Sequence, residues 1–398
     1  MPRDGSVRDH TRRVYTRMIR RKVLQGAALF AVAGLAFTGC SSGDGSSGGG
    51  SAAAVIPEGQ ELGRVGVEAE ISDITDYCGT EPVKVALADG FGGNSWRLIT
   101  RAIFEDWAAN CDNVTDVLYT DAQGDTQKAI SDINSLVAQN VDVIVSFVDG
   151  GEALLPTIKQ ATAQGVSFVP FVGSPGGEPG VDYVDFVSED IGTYGEGLAR
   201  WTMEQMGGKG NVVMLGGIAG NSYSQGVYDG AVRALEDFPD VTLLNEDGPV
   251  STDWEPGKTQ QVVAGLITAH GDIDGIIADY GGGSVGGIRA FQAAGKDIPV
   301  WSANDSNEFA CLWGEYGTSD SKYQIATMSS RNWVVKAALN KGLAAHNGIV
   351  NTDPSMFSLE IIEDSTDPQK QPRCEPSLPA DAILSSGLSV ERLQELFN

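Results

Sequence analysis

From Val83 onward the chain alternates short apolar runs with longer segments of helical periodicity, and this limits the fold more than any single motif does. "VKVALAD" (83–89) precedes a helical pattern over Trp96–Ala109. "VTDVLYTD" precedes one over Thr126–Gln139, "VDVIVSFVD" precedes one over Glu152–Gln164, and "VSFVPFVG" closes the series. Within the second helix Ala129, Ile130, Ile133, Leu136 and Val137 recur at spacings of three and four, which puts them on one face. The series restarts with "GNVVMLGG", a helix over 223–237, "VTLLNED", a helix over 257–270, "DGIIADY", a helix over 284–294 and "IPVWSAND". Nearly all-apolar runs belong in parallel sheets covered on both faces. Two βαβ blocks of about a hundred residues each predict an α/β protein with two lobes. A chain of 398 residues can build two cores.

The start of the chain bears on its compartment. Eight basic side chains lie within residues 1–22, and an apolar stretch of about fifteen residues follows from Val23 to Phe37, then Thr-Gly-Cys40. This reads as an export signal, and the apolar run is too short for an ordinary spanning helix. "FTGC" matches a lipobox, with Cys40 the lipidated residue; the alternative is a plain secretory signal. "RRKVLQ" leaves Sec and twin-arginine export both open. "SSGDGSSGGGSAAA" then reads as a flexible tether that holds a domain off a surface. Loss of residues 1–39 takes eight of 27 basic and two of 53 acidic side chains with it, leaving 19 against 51, a net charge of −32. Such a surface repels nucleic acid.

Four further cysteines, Cys78, Cys111, Cys311 and Cys374, form an even set, which in an exported chain favours disulfides over free thiols. Cys78 precedes the first strand and Cys111 follows the first helix, so a Cys78–Cys111 bridge would staple one unit and leave Cys311–Cys374 as the second pair. No CxxC or Cys/His spacing suggests a metal, and no motif asks for a cofactor.

In open parallel sheets ligands bind beyond the C-terminal ends of the strands. The strand ends here carry aromatics and amides with few charges, a set that suits a neutral polyol. "GFGGNSWR" (90–97) lacks the lysine and spacing of a phosphate loop; Asn94, Trp96 and Arg97 stand there instead. "DYGGGSVGG" (279–287) fits both a dinucleotide fingerprint and, through Ser284, a hydrolase elbow with Asp305 and His346 in order. Close approach of backbone to a neighbour also accounts for such glycines. His270 and His346 each end a helix before a Gly or Asn-Gly stop, where the helix dipole alone favours them.

The segments "VALADGFGGNSW", "DAQGDTQKAISDINSLVAQNVDVIV" and "GGIRAFQAAGKDIPVWSAND" resemble the ribose-binding-protein-like solute-binding proteins of bacterial ABC sugar transporters, over nearly the whole chain from Val83. The resemblance implies a periplasmic binding protein-like type I fold, two lobes joined by three hinge crossings near Val187–Asp190, Ser329–Arg331 and Phe357–Ile361. With the signal over 1–39 and a tether and extension over 40–79 read from the residues, it divides the rest into lobe one over 80–187 plus 331–358, lobe two over 188–330 plus 359–372, and a C-terminal extension over 373–398. It further implies a monomer, anchored through Cys40 on the outer face of the cytoplasmic membrane, that hands a sugar to permease subunits. A nucleoside or other non-sugar solute is the alternative ligand, and a secreted serine hydrolase using Ser284 is the alternative of another class. Lobe one would contribute Asn94, Trp96, Arg97, Phe147 and Asp149; lobe two would contribute Gln225, Trp254, Tyr280, Asn304 and Asp305. The family's Asp-Arg pair after strand four is replaced by "FVGSP", and Arg331 would supply part of the missing positive charge.

Overall fold

The computed structural model describes residue 54, residues 56–317 and residues 323–398; the segments expected to be an export signal, a lipidated Cys40 and a Ser/Gly tether fall almost wholly outside the described residues. Strand β1 (Val65–Gly66) is followed by β2 (Val83–Asp89), α1 (Ser95–Ala108), β3 (Val114–Asp121), α2 (Thr126–Ala138), β4 (Val143–Phe147), α3 (Leu155–Ala163) and β5 (Ser167–Pro170). These make a parallel sheet in the order β3-β2-β4-β5. After β6 (Ser188–Glu189) the chain runs through α4 (Ile191–Gln205), β7 (Lys209–Gly216), α5 (Ser222–Leu235), β8 (Asp240–Leu243), β9 (Val250–Ser251) and α6 (Pro256–His270). It continues through β10 (Gly275–Ala278), α7 (Gly281–Ala293), β11 (Val300–Asn304), α8 (Asn307–Tyr316) and β12 (Ile325–Met328). Helix α9 (Val334–Asn347) returns to the first sheet, packing on β4 and β5. Strand β13 (Met356–Phe357) then leads to β14 (Ile361–Asp364), which joins the second sheet antiparallel to β12, and α10 (Val390–Phe397) ends the chain. The second sheet runs β14-β12-β11-β10-β7-β8, with β9 paired to β7.

Both sheets are wound on two sides because successive side chains of a strand point to opposite faces. In β2, Val83, Val85 and Leu87 join one core under α1 and α9, while Ala86 and Ala88 join another with Ile133, Leu136 and Ile158 of α2 and α3. In β7, Val212 and Met214 face Leu198 and Val227 of α4 and α5, and Val213 and Leu215 face Val263, Ile288 and Phe309 of α6, α7 and α8. Strand β3 departs from the expectation of a fully covered strand. It lies at the sheet edge, most of its residues are half-buried or exposed, and Val117 faces solvent.

The chain passes between the lobes three times. Strands β6 and β13 pair in parallel at two of the passages, with β1 added on the edge of β13, and the third runs from β12 through Ser329–Arg331 into α9. Among the described residues two disulfides are present, Cys78–Cys111 and Cys311–Cys374, and each joins segments beside one lobe. No helix among the described residues is long and apolar enough to cross a membrane.

The glycine run after β10 was expected to precede a helix, but the helix begins within it, at Gly281. These glycines are interior packing positions: a Cβ on Gly286 would collide with the Pro256 carbonyl oxygen of α6. Gly286→Ala is therefore expected to lower stability by about 1–3 kcal/mol, read as a reduced urea midpoint at unchanged slope.

Candidate functional site

The C-terminal ends of both sheets face one cleft. On the lobe-one side the turn after β2 is held by Asp89, whose Oδ1 accepts the backbone N–H groups of Phe91 (3.1 Å) and Gly92 (3.2 Å). Asn94 then caps α1, its Oδ1 accepting the Arg97 N–H at 3.1 Å. This capping fixes the first turn of α1 so that Trp96 and Arg97 point into the cleft. The Trp96 indole N–H donates to the Ser330 carbonyl at 2.7 Å, and its ring stacks on Phe171 and meets Phe147 edge-on.

Arg97 is buried between two carboxylates: Nη1 donates to Asp89 Oδ1 at 2.9 Å, and Nη2 to Asp149 Oδ1 and Oδ2 at 2.9 and 3.1 Å. Its guanidinium carbon lies 3.4 Å from the Phe147 ring centroid. Asp149 is pushed up to about 7, because burial disfavours its charge and the like charge of Asp89 and Asp121 adds to that, against the opposing pull of Arg97. Across the cleft, Asn221 Nδ2 of lobe two donates to Asp149 Oδ1 at 3.3 Å, and Phe91 meets the Trp254 ring edge-on, with centroids 5.8 Å apart. The lobes thus touch directly across the cleft.

On the lobe-two side Asp279 organises the wall. Its Oδ1 accepts the Trp254 indole N–H at 3.0 Å and its Oδ2 the Ser224 hydroxyl at 2.5 Å. Burial outweighs both bonds and raises this carboxyl to about 6. Trp254 has a left-handed backbone (φ 57°) and lies flat on Gly217, where any Cβ would collide with its indole. Asn304 Oδ1 accepts the Gly281 N–H at 2.6 Å, which pins the start of α7.

Arg331, at the third crossing, is also buried and also left-handed (φ 46°). Its Nε lies 2.6 Å from Glu189 Oε1 of β6, an ion pair without hydrogen-bonding alignment, and its guanidinium lies over the Tyr223 ring at 4.5 Å.

These side chains line one small pocket, whose wall is made by Asn94, Trp96, Arg97, Phe147, Tyr223, Trp254, Asp279, Tyr280, Asn304 and Arg331. Eight of the residues singled out from the sequence therefore meet in one place. Asp149 stands behind Arg97 rather than on the cavity wall. Gln225 is exposed and donates to Asp229 at 2.8 Å. The reason is helical register: capping by Asn221 sets Tyr223 toward the cleft, and a residue two positions on points well round the helix. Asp305 is buried but spent, accepting from the Ser330 N–H, the Ser385 hydroxyl and the Ser385 N–H at 2.8, 2.6 and 2.9 Å. Tyr223 and Asp279 lie within the strand-end segments 217–225 and 279–284 but were not chosen as ligand residues. An Asn at the start of a helix just after a strand would have indicated Tyr223, whereas nothing local distinguishes Asp279 from any strand-end acid.

Ser284 is no nucleophile. It is buried inside α7, its hydroxyl donating to the Tyr280 carbonyl and accepting from the Trp301 indole, both at 3.0 Å. His346 closes α9, a helix packed on lobe one, and Asp305 is held by Ser330 and Ser385.

A model of the periplasmic binding protein domain matches residues 85–353. Among similar proteins, the xylitol-binding protein of Mycolicibacterium smegmatis is 26% identical over 268 residues, 66% of this chain and 72% of that one. The ribose import binding protein RbsB of Bacillus subtilis is 27% identical over 184 residues, 46% of this chain and 58% of that protein, so the match spans little more than half of its length. A solved D-allose-bound ABC transporter solute-binding protein from Actinobacillus succinogenes superposes with a TM-score of 0.60 at 22% identity, covering 70% of this chain and 96% of that one. The Caulobacter myo-inositol-binding protein gives 0.62 at 20% identity, covering 71% and 95%.

The charge buried at Asp149 sets a pH dependence. A carboxyl whose pKa is higher folded than unfolded adds stability at low pH and loses it as pH rises through the folded value of about 7. Urea unfolding should therefore show stability falling from pH 5 to pH 8, with a shallower fall in Asp149→Asn.

Proposed function

We propose a function for this chain, which belongs to the periplasmic binding protein family: it captures a sugar or related polyol between its lobes and delivers it to an ABC transporter permease. There is no chemical step. The ligand favours the closed arrangement because it touches both walls at once, and binding differs between open and closed forms by those contacts. The observation that carries this reading is the cavity itself, small, shared by both lobes, and walled by aromatic rings with amides between them.

The charges favour an uncharged ligand. Arg97 is matched by Asp89 and Asp149, and Arg331 by Glu189, so neither guanidinium brings a net positive field to the cavity. The oxygens of Asn94 and Asn304 are occupied by backbone N–H groups, which leaves their NH2 groups to donate to ligand oxygens. Trp96, Tyr223, Trp254 and Tyr280 supply faces and edges on which the C–H surface of a sugar packs. The named ligands of the relatives, xylitol and ribose among them, are of this kind. Delivery would take place outside the cytoplasmic membrane, with lipidated Cys40 as the anchor and the Ser/Gly stretch as the tether.

A thermal-shift screen of the intact protein against pentoses, hexoses, acyclic polyols, inositols and nucleosides tests the reading. A ligand that binds only the native state raises the melting temperature. A sugar or polyol should do so, and a response confined to nucleosides would overturn the assignment. With the responding compound, Trp254→Ala should weaken binding by more than about 1 kcal/mol by calorimetry. Unchanged affinity would remove Trp254 from the site.

A further inference from the structure

The segment after β14 takes part in an arrangement that the three crossings do not require. It is tied to lobe two by the Cys311–Cys374 disulfide and by Asn307, whose Nδ2 donates to the carbonyls of Glu375, Leu378 and Pro379 at 3.0, 3.2 and 3.1 Å. At Ser385 it accepts from the Ser330 N–H at 3.0 Å and meets Asp305 through two bonds. It then reaches lobe one. Asp381 accepts the Ser95 hydroxyl, Arg392 makes a two-pronged ion pair with Asp106 at 2.9 and 2.9 Å, and α10 packs along α1 with Leu393 buried.

Three of the residues that the segment grips, Ser95, Asp305 and Ser330, are immediate chain neighbours of cavity residues, Trp96, Asn304 and Arg331 respectively. One of the three comes from each lobe and the third from a crossing.

We infer that residues 373–398 form a strap that acts as a fourth connection between the lobes and positions the cavity, with Asp381, Ser385 and Arg392 as its positioning residues. Three crossings alone leave the lobes free to open and to twist about the hinge. A strap fixed covalently to α8 and non-covalently to α1 restrains both motions and keeps the three cavity segments in register when the cleft is empty. The lobe-one end is the releasable one, since it is held by an exposed ion pair, a carboxylate–hydroxyl bond and one short helix, whereas the lobe-two end is held by a disulfide.

The inference rests on the two-lobe reading of the fold and not on the identity of the ligand, so it is tested without one. Spin labels or fluorophores placed on the exposed surfaces of α2 and α6 report the distance between lobes in the ligand-free protein. The double variant Asp381→Ala/Arg392→Ala cuts only the lobe-one end. Its distance distribution should broaden and shift to longer values than in the parent. The control is Cys78→Ser/Cys111→Ser, which removes a staple within lobe one and should lower the melting temperature without moving the distribution. If the double variant fails to fold, Ser385→Ala, which loosens the grip on Asp305 and Ser330, should broaden the distribution in the same direction. An unchanged distribution in the folded strap variant, or an equal broadening in the control, would overturn the inference.

Discussion

A guanidinium can be taken out of water only beside carboxylates that are themselves taken out of water, and the cleft is arranged around two such guanidiniums. Breaking a buried pair by removing one partner costs about 3–5 kcal/mol, because the other charge stays buried and alone. Arg97 therefore dictates an aspartate at the end of β2, Asp89, and another two residues beyond the end of β4, Asp149. Arg331 dictates a glutamate at the first crossing, Glu189. Each arginine then presents its flat side to a ring, Arg97 to Phe147 and Arg331 to Tyr223, and the rings define the shape of the cavity. Two lobes and a crossing are registered to one another by this requirement. It also accounts for a non-glycine residue held in left-handed backbone at Arg331, a conformation that persists only where its surroundings over-determine it.

The periodicities that specify the fold are local. Val83, Val85 and Leu87 against Ala86 and Ala88 carry the two-sided burial of β2 in seven consecutive residues, and the same holds for β7. Much of the site was legible for a related reason: ligands in parallel sheets sit at strand ends, so Asn94, Trp96, Arg97, Phe147, Trp254, Tyr280 and Asn304 could be named from where strands stop. What could not be read depends on atoms far apart in sequence. Asp305 resembles a ligand residue until Ser385, eighty residues on, takes both of its oxygens. Gln225 and Tyr223 differ only in helical register, which is set by the capping at Asn221. The glycines at 281–287 imitate two unrelated motifs, and only the closeness of Asn304 to Gly281, of α6 to Gly286 and of Trp301 to Gly287 shows why those positions are glycines.

The return of α9 to the first sheet has a consequence for how the chain can be assembled. Val143, Val145 and Val169 complete their core with Leu339, Leu343 and Ala344, which are synthesised some 170 to 200 residues later. In between comes nearly all of the second lobe, which in turn waits for β14. Neither half of the molecule is a contiguous stretch, so no single cut yields an independent fragment. A nascent chain leaves the α9 side of β4 and β5 uncovered until residue 347 has been made.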